Sequence, residues 1–191
     1  SFEVKSHLRH HSLWLQTSPE FHMKRLLAAG SGPIWQISRV FRDEGSGRWH
    51  QNEFSMLEWY RPGWTLRDLC TEVEDLAREI APQLPPARWM SYREAFLERA
   101  GVDPFSDPIA KIRQAVEEAC AVVPSIGAAD RDGWLDLLLV TRVEPGLGET
   151  EPVFLWGYPH SRAALARIGH DNGHPVALRA EMMRTFVPRR T

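Results

Sequence analysis

Two neighbouring stretches of this chain concentrate side chains suited to chemistry: Phe41-Arg42-Asp43-Glu44, and His50-Gln51-Asn52-Glu53-Phe54 running on to Tyr60. On an extended strand, residues two apart share a face. That spacing sets Arg42 and Glu44 together in the first stretch. In the second it sets Phe54, Met56, Glu58 and Tyr60 on one face, with Glu53, Ser55, Leu57 and Trp59 on the other. A surface holding an arginine, carboxylates, a phenol and an aromatic ring is poor core material, because burying such charges unpaired is costly. It suits the floor of a site for a nucleotide and a cationic small molecule.

Each residue also has an ordinary reading. Arg42 and Glu44 can form a surface ion pair of little worth, Phe54 can be a core aromatic, and Glu58 and Tyr60 can lie on a solvated sheet face. Glu20 taken alone is a first-turn acid at a helix start. His7, His10 and His11 are loosely spaced and read as a solvated loop rather than a metal site. Glu72-Val73-Glu74-Asp75 reads as the wet side of a helix. No Ser/His/Asp or Cys/His arrangement and no P-loop stands out.

The elements that must position these groups follow from periodicity and punctuation. Ser12–Thr17 predicts a short strand, with Leu13 and Leu15 alternating against Trp14 and Gln16. Thr17, Ser18 and Pro19 open a helix over Pro19–Ala29, and Gly30 stops it. Pro33–Phe41 and Glu53–Tyr60 predict two strands joined by a polar loop over 42–52, an antiparallel hairpin. Thr65–Ile80 predicts a long helix ended by Pro82, and Ser91 caps a short one to Ala100. Asp107–Val122 and Arg131–Val143 predict two more helices, and Pro152–Tyr158 a buried strand. Beyond Gly169 no period is legible.

At 191 residues, 43% apolar and 25% charged, the chain is long enough for one real core and ordinary for a globular protein. A net charge of −2 and a pI near 6.4 exclude a protein held to nucleic acid chiefly by a basic excess. No stretch approaches the roughly 18 apolar residues of a membrane span. Cys70 and Cys120 lie far apart without metal-type spacing, which points to a reducing cytoplasm. Ser1-Phe2-Glu3-Val4-Lys5 has neither a signal-type apolar run nor an initiator methionine, and reads as a truncated or processed start.

Phe41-Arg42-Asp43-Glu44, a loop, and His50-Gln51-Asn52-Glu53-Phe54 together resemble motif 2 of the class II aminoacyl-tRNA synthetases. The flanking Leu15-Gln16-Thr17-Ser18-Pro19-Glu20-Phe21-His22-Met23-Lys24-Arg25-Leu26 and Ser55-Met56-Leu57-Glu58-Trp59-Tyr60-Arg61-Pro62 resemble the lysyl branch. Within that branch they are similar to the stand-alone elongation factor P lysine ligases. The resemblance is strong before Pro62 and looser through Asp130-Arg131-Asp132, Val143-Glu144-Pro145 and Pro152-Val153-Phe154. It implies an α+β fold, an antiparallel sheet flanked by helices, and residues 1–191 as a single, incomplete class II catalytic domain with its motif 2 hairpin at about 33–62.

The roles the resemblance implies attach to individual positions. Arg42 clamps the α-phosphate and the substrate carboxylate and is the catalytic group, with Asp43 beside it in the ATP site. Glu44 contacts the adenine amino group or orients Arg42. His50 holds the outer phosphates, Gln51 lies near the base, and Phe54 stacks under adenine. Glu20 takes the substrate α-amino group, with Ser18 and Pro19 adjacent. Glu58 and Tyr60 hold the amino acid, Tyr60 near the ε-ammonium. ATP is the implied co-substrate, with Mg²⁺ and no residue of this chain assigned as a metal ligand.

Where such enzymes carry His-Asn-Pro-Glu-Phe, this chain has His50-Gln51-Asn52-Glu53-Phe54, which should loosen the loop. The dimer-forming motif 1 and the arginine-bearing motif 3 are not found, and Ala180–Thr191 fits no element. The first functional reading is activation of lysine or (R)-β-lysine and transfer to a lysine of elongation factor P, in a cytoplasmic enzyme that is a homodimer at full length. Trp59-Tyr60-Arg61-Pro62 favours it over a lysyl-tRNA synthetase piece charging tRNA. A third reading is a truncated protein that binds without catalysing.

Overall fold

The structure is a computed structural model that describes residues 1–5, 11–43, 45, 47, 50–120 and 122–184. They fall into two compact units, Ser1–Trp64 and Thr65–Thr191.

In the first unit, β1 (Glu3–Val4) pairs antiparallel with β2 (Leu13–Trp14). The predicted strand over Ser12–Thr17 is thus only its first part, because Gln16 leaves the ladder to serve another strand. The Gln16 carbonyl accepts from the Phe41 amide at 2.8 Å, and its side-chain nitrogen donates to the Arg39 carbonyl at 2.8 Å. Helix α1 (Glu20–Ala28) follows. Pro19 occupies its N-terminal boundary and has no side-chain cap to offer, and the Ser18 hydroxyl just before it accepts from the Glu20 amide at 3.0 Å. Strands β3 (Ile34–Phe41) and β4 (Glu53–Tyr60) form the expected antiparallel hairpin, with Val40 opposite Phe54, Ser38 opposite Met56 and Gln36 opposite Glu58.

The second unit opens with α2 (Leu66–Ile80), started by a reciprocal capping box between Thr65 and Asp68. A short β5 (Arg88–Ser91), absent from the sequence reading, leads into α3 (Tyr92–Ala100) through a second capping box, Ser91 with Glu94. Helix α4 (Ile109–Ala119) is shorter than expected. Pro108 forms its N-terminal boundary, and Cys120 is already extended. Helix α5 (Arg131–Leu138) passes into a π turn over Leu139–Val143, where one continuous helix was expected. Strand β6 (Val153–Pro159) is buried on both faces, as its apolar run predicts.

The region past Gly169 is not patternless. Strands β7 (Ile168–Asp171) and β8 (His174–Met183) form a hairpin turned by Asn172-Gly173, both with positive φ. Asn-Gly is among the strongest hairpin signals a sequence can carry. The sheet order is β5-β6-β8-β7, antiparallel except for the parallel pair β5–β6, which is reached by a crossover through α3, α4 and α5. The fold is therefore α+β as expected, with a mixed rather than purely antiparallel sheet in this unit. Tyr92, Phe96, Ile112, Leu135, Leu138, Val143 and Leu155 form the centre of its core. At Gly157, φ is +74° and the β6–β8 register shifts, so Tyr158 joins that core beside Leu155. Among the described residues no helix is long and apolar enough to cross a membrane.

Candidate functional site

The β3–β4 hairpin buries the wrong face for an ordinary sheet. Phe54, Met56, Glu58 and Tyr60 lie on its sheltered side, whereas Trp35 and Ile37 on the other are 67% and 64% exposed. Carboxylate and phenol are partly sheltered from water while indole is not. That inversion is tolerable only if the sheltered polar groups are satisfied.

They are. The Ser18 hydroxyl donates to one oxygen of Glu58 at 2.7 Å, and the Tyr60 phenol donates to the other at 2.5 Å. Ser18 itself is fixed by the turn that begins α1, so the helix start and the returning strand are stitched at Glu58. Burial first, then the hydrogen bond and charge of Glu58 and the charge of Glu20, push the Tyr60 phenol well above its ordinary pKa. It stays protonated at neutral pH and remains a donor. The Glu20 carboxylate pairs with Lys24 at 2.7 Å, one turn along α1. Ser18, Glu20, Glu58 and Tyr60 are thus brought together, with Pro19 buried between the first two.

Arg42 follows β3. Its Nε donates to the Thr17 carbonyl at 3.2 Å, and its guanidinium carbon lies 5.5 Å from the centre of the Phe54 ring. Planar cation and ring form a surface on which a flat base and an anion can be held together. Asp43, His50 and Gln51 are exposed along the loop between the strands. Glu44 lies outside the described residues, as do His7 and His10.

Several described residues of the loop are hydrogen-bonded to one another. With its amide turned so that nitrogen faces both carbonyls, Asn52 donates to Arg42 at 3.2 Å and to Gly45 at 3.0 Å. The Gly47 and His50 backbones exchange hydrogen bonds at 2.9 and 3.4 Å. Asn52 was seen in the sequence only as a departure; its position as the last residue of the loop, directly before β4, was the signal that it anchors the strand entry. Gln36, across from Glu58, is a further polar group on the site face that sequence reasoning did not single out. Among the described residues no three His, Cys, Asp or Glu side chains come together to hold a metal.

A site with two carboxylates, two hydroxyls oriented on one of them, and an arginine over an aromatic ring can bind an organic cation next to an anion. The family of class II tRNA synthetases (D, K and N) matches residues 1–185. An elongation factor P–(R)-β-lysine ligase of Erwinia tasmaniensis is 45% identical over 170 residues, covering 89% of this chain and 52% of that protein. Proteins of the same name from Edwardsiella ictaluri (45% over 170 residues, 89% of this chain and 52% of that protein) and Yersinia pestis (44% over 171 residues, 90% and 52%) are similar to it as well. The chain spans about half the length of these curated relatives.

Proposed function

The chain belongs to the class II tRNA synthetase family (D, K and N), and from that membership we propose that it carries part of a site in which ATP activates lysine or (R)-β-lysine for transfer to a lysine of elongation factor P. The observation that carries this reading is Glu58, gripped on both oxygens by Ser18 and Tyr60 and accompanied by Glu20. A diamino acid needs two anionic receptors in a sheltered place, and an ammonium is a compact charge that rewards such partners. Glu20 takes the α- or β-amino group once Lys24 yields to it, while Glu58 and Tyr60 hold the amino acid, Tyr60 near the far ammonium.

In the activation step an oxygen of the substrate carboxylate bonds to the α-phosphorus as the bond to the pyrophosphate oxygen breaks. Arg42 stabilises the charge on the transferring phosphoryl group, Phe54 stacks on adenine, and Asp43, Glu44, His50 and Gln51 complete the ATP site. An acceptor amine then attacks the acyl carbon and AMP departs. Mg²⁺ bound with ATP would take most of its ligands from phosphate and water and would offset the charge of the phosphates.

The same reading takes residues 1–191 as part of one catalytic domain, within a homodimeric, cytoplasmic whole protein. Transfer to tRNA is a second reading, favoured by the family's description as tRNA synthetases, whereas the relatives' printed name favours elongation factor P. Amino-acid-dependent ATP–pyrophosphate exchange with lysine, with (R)-β-lysine and with neither is the test. Exchange that requires one of the two supports the reading, and acylation of elongation factor P or of tRNA then separates the acceptors. A folded chain that exchanges with neither has no activating chemistry of its own and reduces the site to binding.

A further inference from the structure

On the site face of the hairpin Glu58 and Tyr60 are hydrogen-bonded, but two polar side chains of β3 on the same face are not. Gln36 stands directly opposite Glu58, and Ser38 directly opposite Met56, so both share the face of Phe54, Glu58 and Tyr60. Gln36 is partly buried, and among the described residues its side-chain amide has no hydrogen-bond partner. The Ser38 hydroxyl is buried and equally without one. Sheltered polar groups in a folded chain are as a rule paired, so two adjacent open ones on the floor of a site are groups a ligand can engage.

The strand pairing puts them in the middle of that floor. The Arg42 amide donates to the Asn52 carbonyl on the β4 side at 2.9 Å, whereas the Phe41 amide donates to the Gln16 carbonyl on the opposite edge at 2.8 Å. Strand β3 is therefore the central one of three chains, with the segment leading to Ser18 on one side and Glu58 on the other. The 2.7 Å hydrogen bond from Ser18 to Glu58 closes over β3, beside Gln36. Arg42 and Phe54 mark the end of the face that suits nucleotide and anion. Phe54 and Glu58 are separated by about 14 Å at the usual strand rise, so Gln36 belongs to the cationic end. A primary ammonium there has three N–H donors to place. Each Glu58 oxygen already accepts one hydrogen bond, from Ser18 or from Tyr60, and has room for one more. Glu58 can thus take at most two of the three, and the last needs another acceptor beside it.

We infer that Gln36 is that acceptor: its side-chain oxygen takes the third N–H of the substrate's far ammonium, while its amide nitrogen donates to the Ser38 hydroxyl and so keeps the oxygen turned to the substrate. A neutral amide supplies an acceptor without setting a second negative charge against Glu58, which would work against ionisation of that carboxyl. The contact selects a primary ammonium over a secondary one, because a methylated nitrogen of equal charge has one donor fewer. The inference rests on the reading of Glu58 and Tyr60 as the receptor for the substrate's far ammonium.

Calorimetric titration of the whole chain with lysine, with (R)-β-lysine and with Nε-methyl-lysine tests it, in the wild type and in Gln36→Met, Ser38→Ala and Glu58→Gln variants checked for folding by circular dichroism. Methionine keeps the length of the glutamine side chain and removes its acceptor. The inference expects Gln36→Met to weaken lysine binding about ten-fold. (R)-β-lysine should weaken by the same factor, because its far ammonium is the same, and Nε-methyl-lysine much less. Ser38→Ala should give the same pattern at smaller size. Equal weakening of all three ligands would mean a merely structural role and would overturn the inference. So would a loss for one lysine isomer and not the other where both bind, or no effect of Gln36→Met where Glu58→Gln abolishes binding. Those three results would leave the reading of Glu58 standing. Binding of neither isomer to the folded wild type, or binding indifferent to Glu58→Gln, would overturn that reading and this contact with it.

Discussion

Ser18 and Glu58, forty residues apart in the chain, meet in a 2.7 Å hydrogen bond that ties the start of α1 to the returning strand of the hairpin. Because Tyr60 holds the other oxygen of the same carboxylate, Glu58 has one orientation rather than several. A receptor whose rotamer is fixed before the ligand arrives spends less of its interaction energy on ordering.

Arg42→Ala should abolish adenylate formation, with a loss of about 3 kcal/mol or more in transition-state stabilisation, roughly a hundred-fold or greater fall in kcat. Arg42→Lys should recover only part of it, because a point charge lacks the planar fork. Near-normal exchange in Arg42→Ala would refute the assignment.

Phe54→Ala should act mainly on the nucleotide. Removing a stacking ring costs about 0.5–1.5 kcal/mol, a two- to ten-fold rise in the KM for ATP with the amino-acid KM little changed. Since the Arg42 guanidinium also rests 5.5 Å from that ring, a smaller fall in kcat should accompany it. An unchanged KM for ATP counts against the stacking role.

Much of the fold was legible because it rests on local rules. The bounds of β4 were read correctly from alternation, and Thr65 and Ser91 announced their helices through hydroxyl caps. What failed was either non-local or outweighed. The parallel pairing of β5 with β6 joins segments some sixty residues apart, which no local period encodes. Gln16 was read as strand because its pairing with Arg39 and Phe41 is a tertiary contact. The Asn172-Gly173 hairpin was missed although its signal was present, because His170, Asp171 and His174 break the apolar alternation around it. The stitching of Glu58 was out of reach, since the face of a strand can be read from spacing but its partner on another element cannot.

Asp103 offers a test of the second unit by pH. Burial alone would raise its carboxyl, but the hydrogen bonds from Arg93, the Phe105 amide and Ser106, together with the Arg93 charge, outweigh burial and hold it well below the usual carboxylate range. A group whose folded pKa is depressed stabilises the fold above its unfolded pKa of about 3.9, and loses that contribution as pH falls towards the folded value. Asp103→Asn should therefore be less stable than wild type by about 2 kcal/mol at pH 7, with the gap shrinking below about pH 4. Urea midpoints across that range check it, and a gap independent of pH would show that the carboxylate charge is not the cause.

Gly148 marks a position where only glycine fits. Its φ is +75°, and a Cβ there would stand 2.5 Å from the Met183 carbonyl oxygen. Gly148→Ala should destabilise the second unit by about 2 kcal/mol or more, seen as a lower denaturation midpoint. Unchanged stability would mean that the Glu144–Gly148 turn and the end of β8 do not meet as described.

The most direct test of the account is calorimetric titration of lysine and of (R)-β-lysine into the chain, wild type against Glu58→Gln. The account predicts saturable binding of at least one of the two amino acids, weakened about ten- to a hundred-fold when the Glu58 carboxylate becomes an amide, with the thermal midpoint little altered. Binding of equal strength in both proteins would contradict it, because the carboxylate that Ser18 and Tyr60 hold in place would then not be the receptor for the substrate's ammonium.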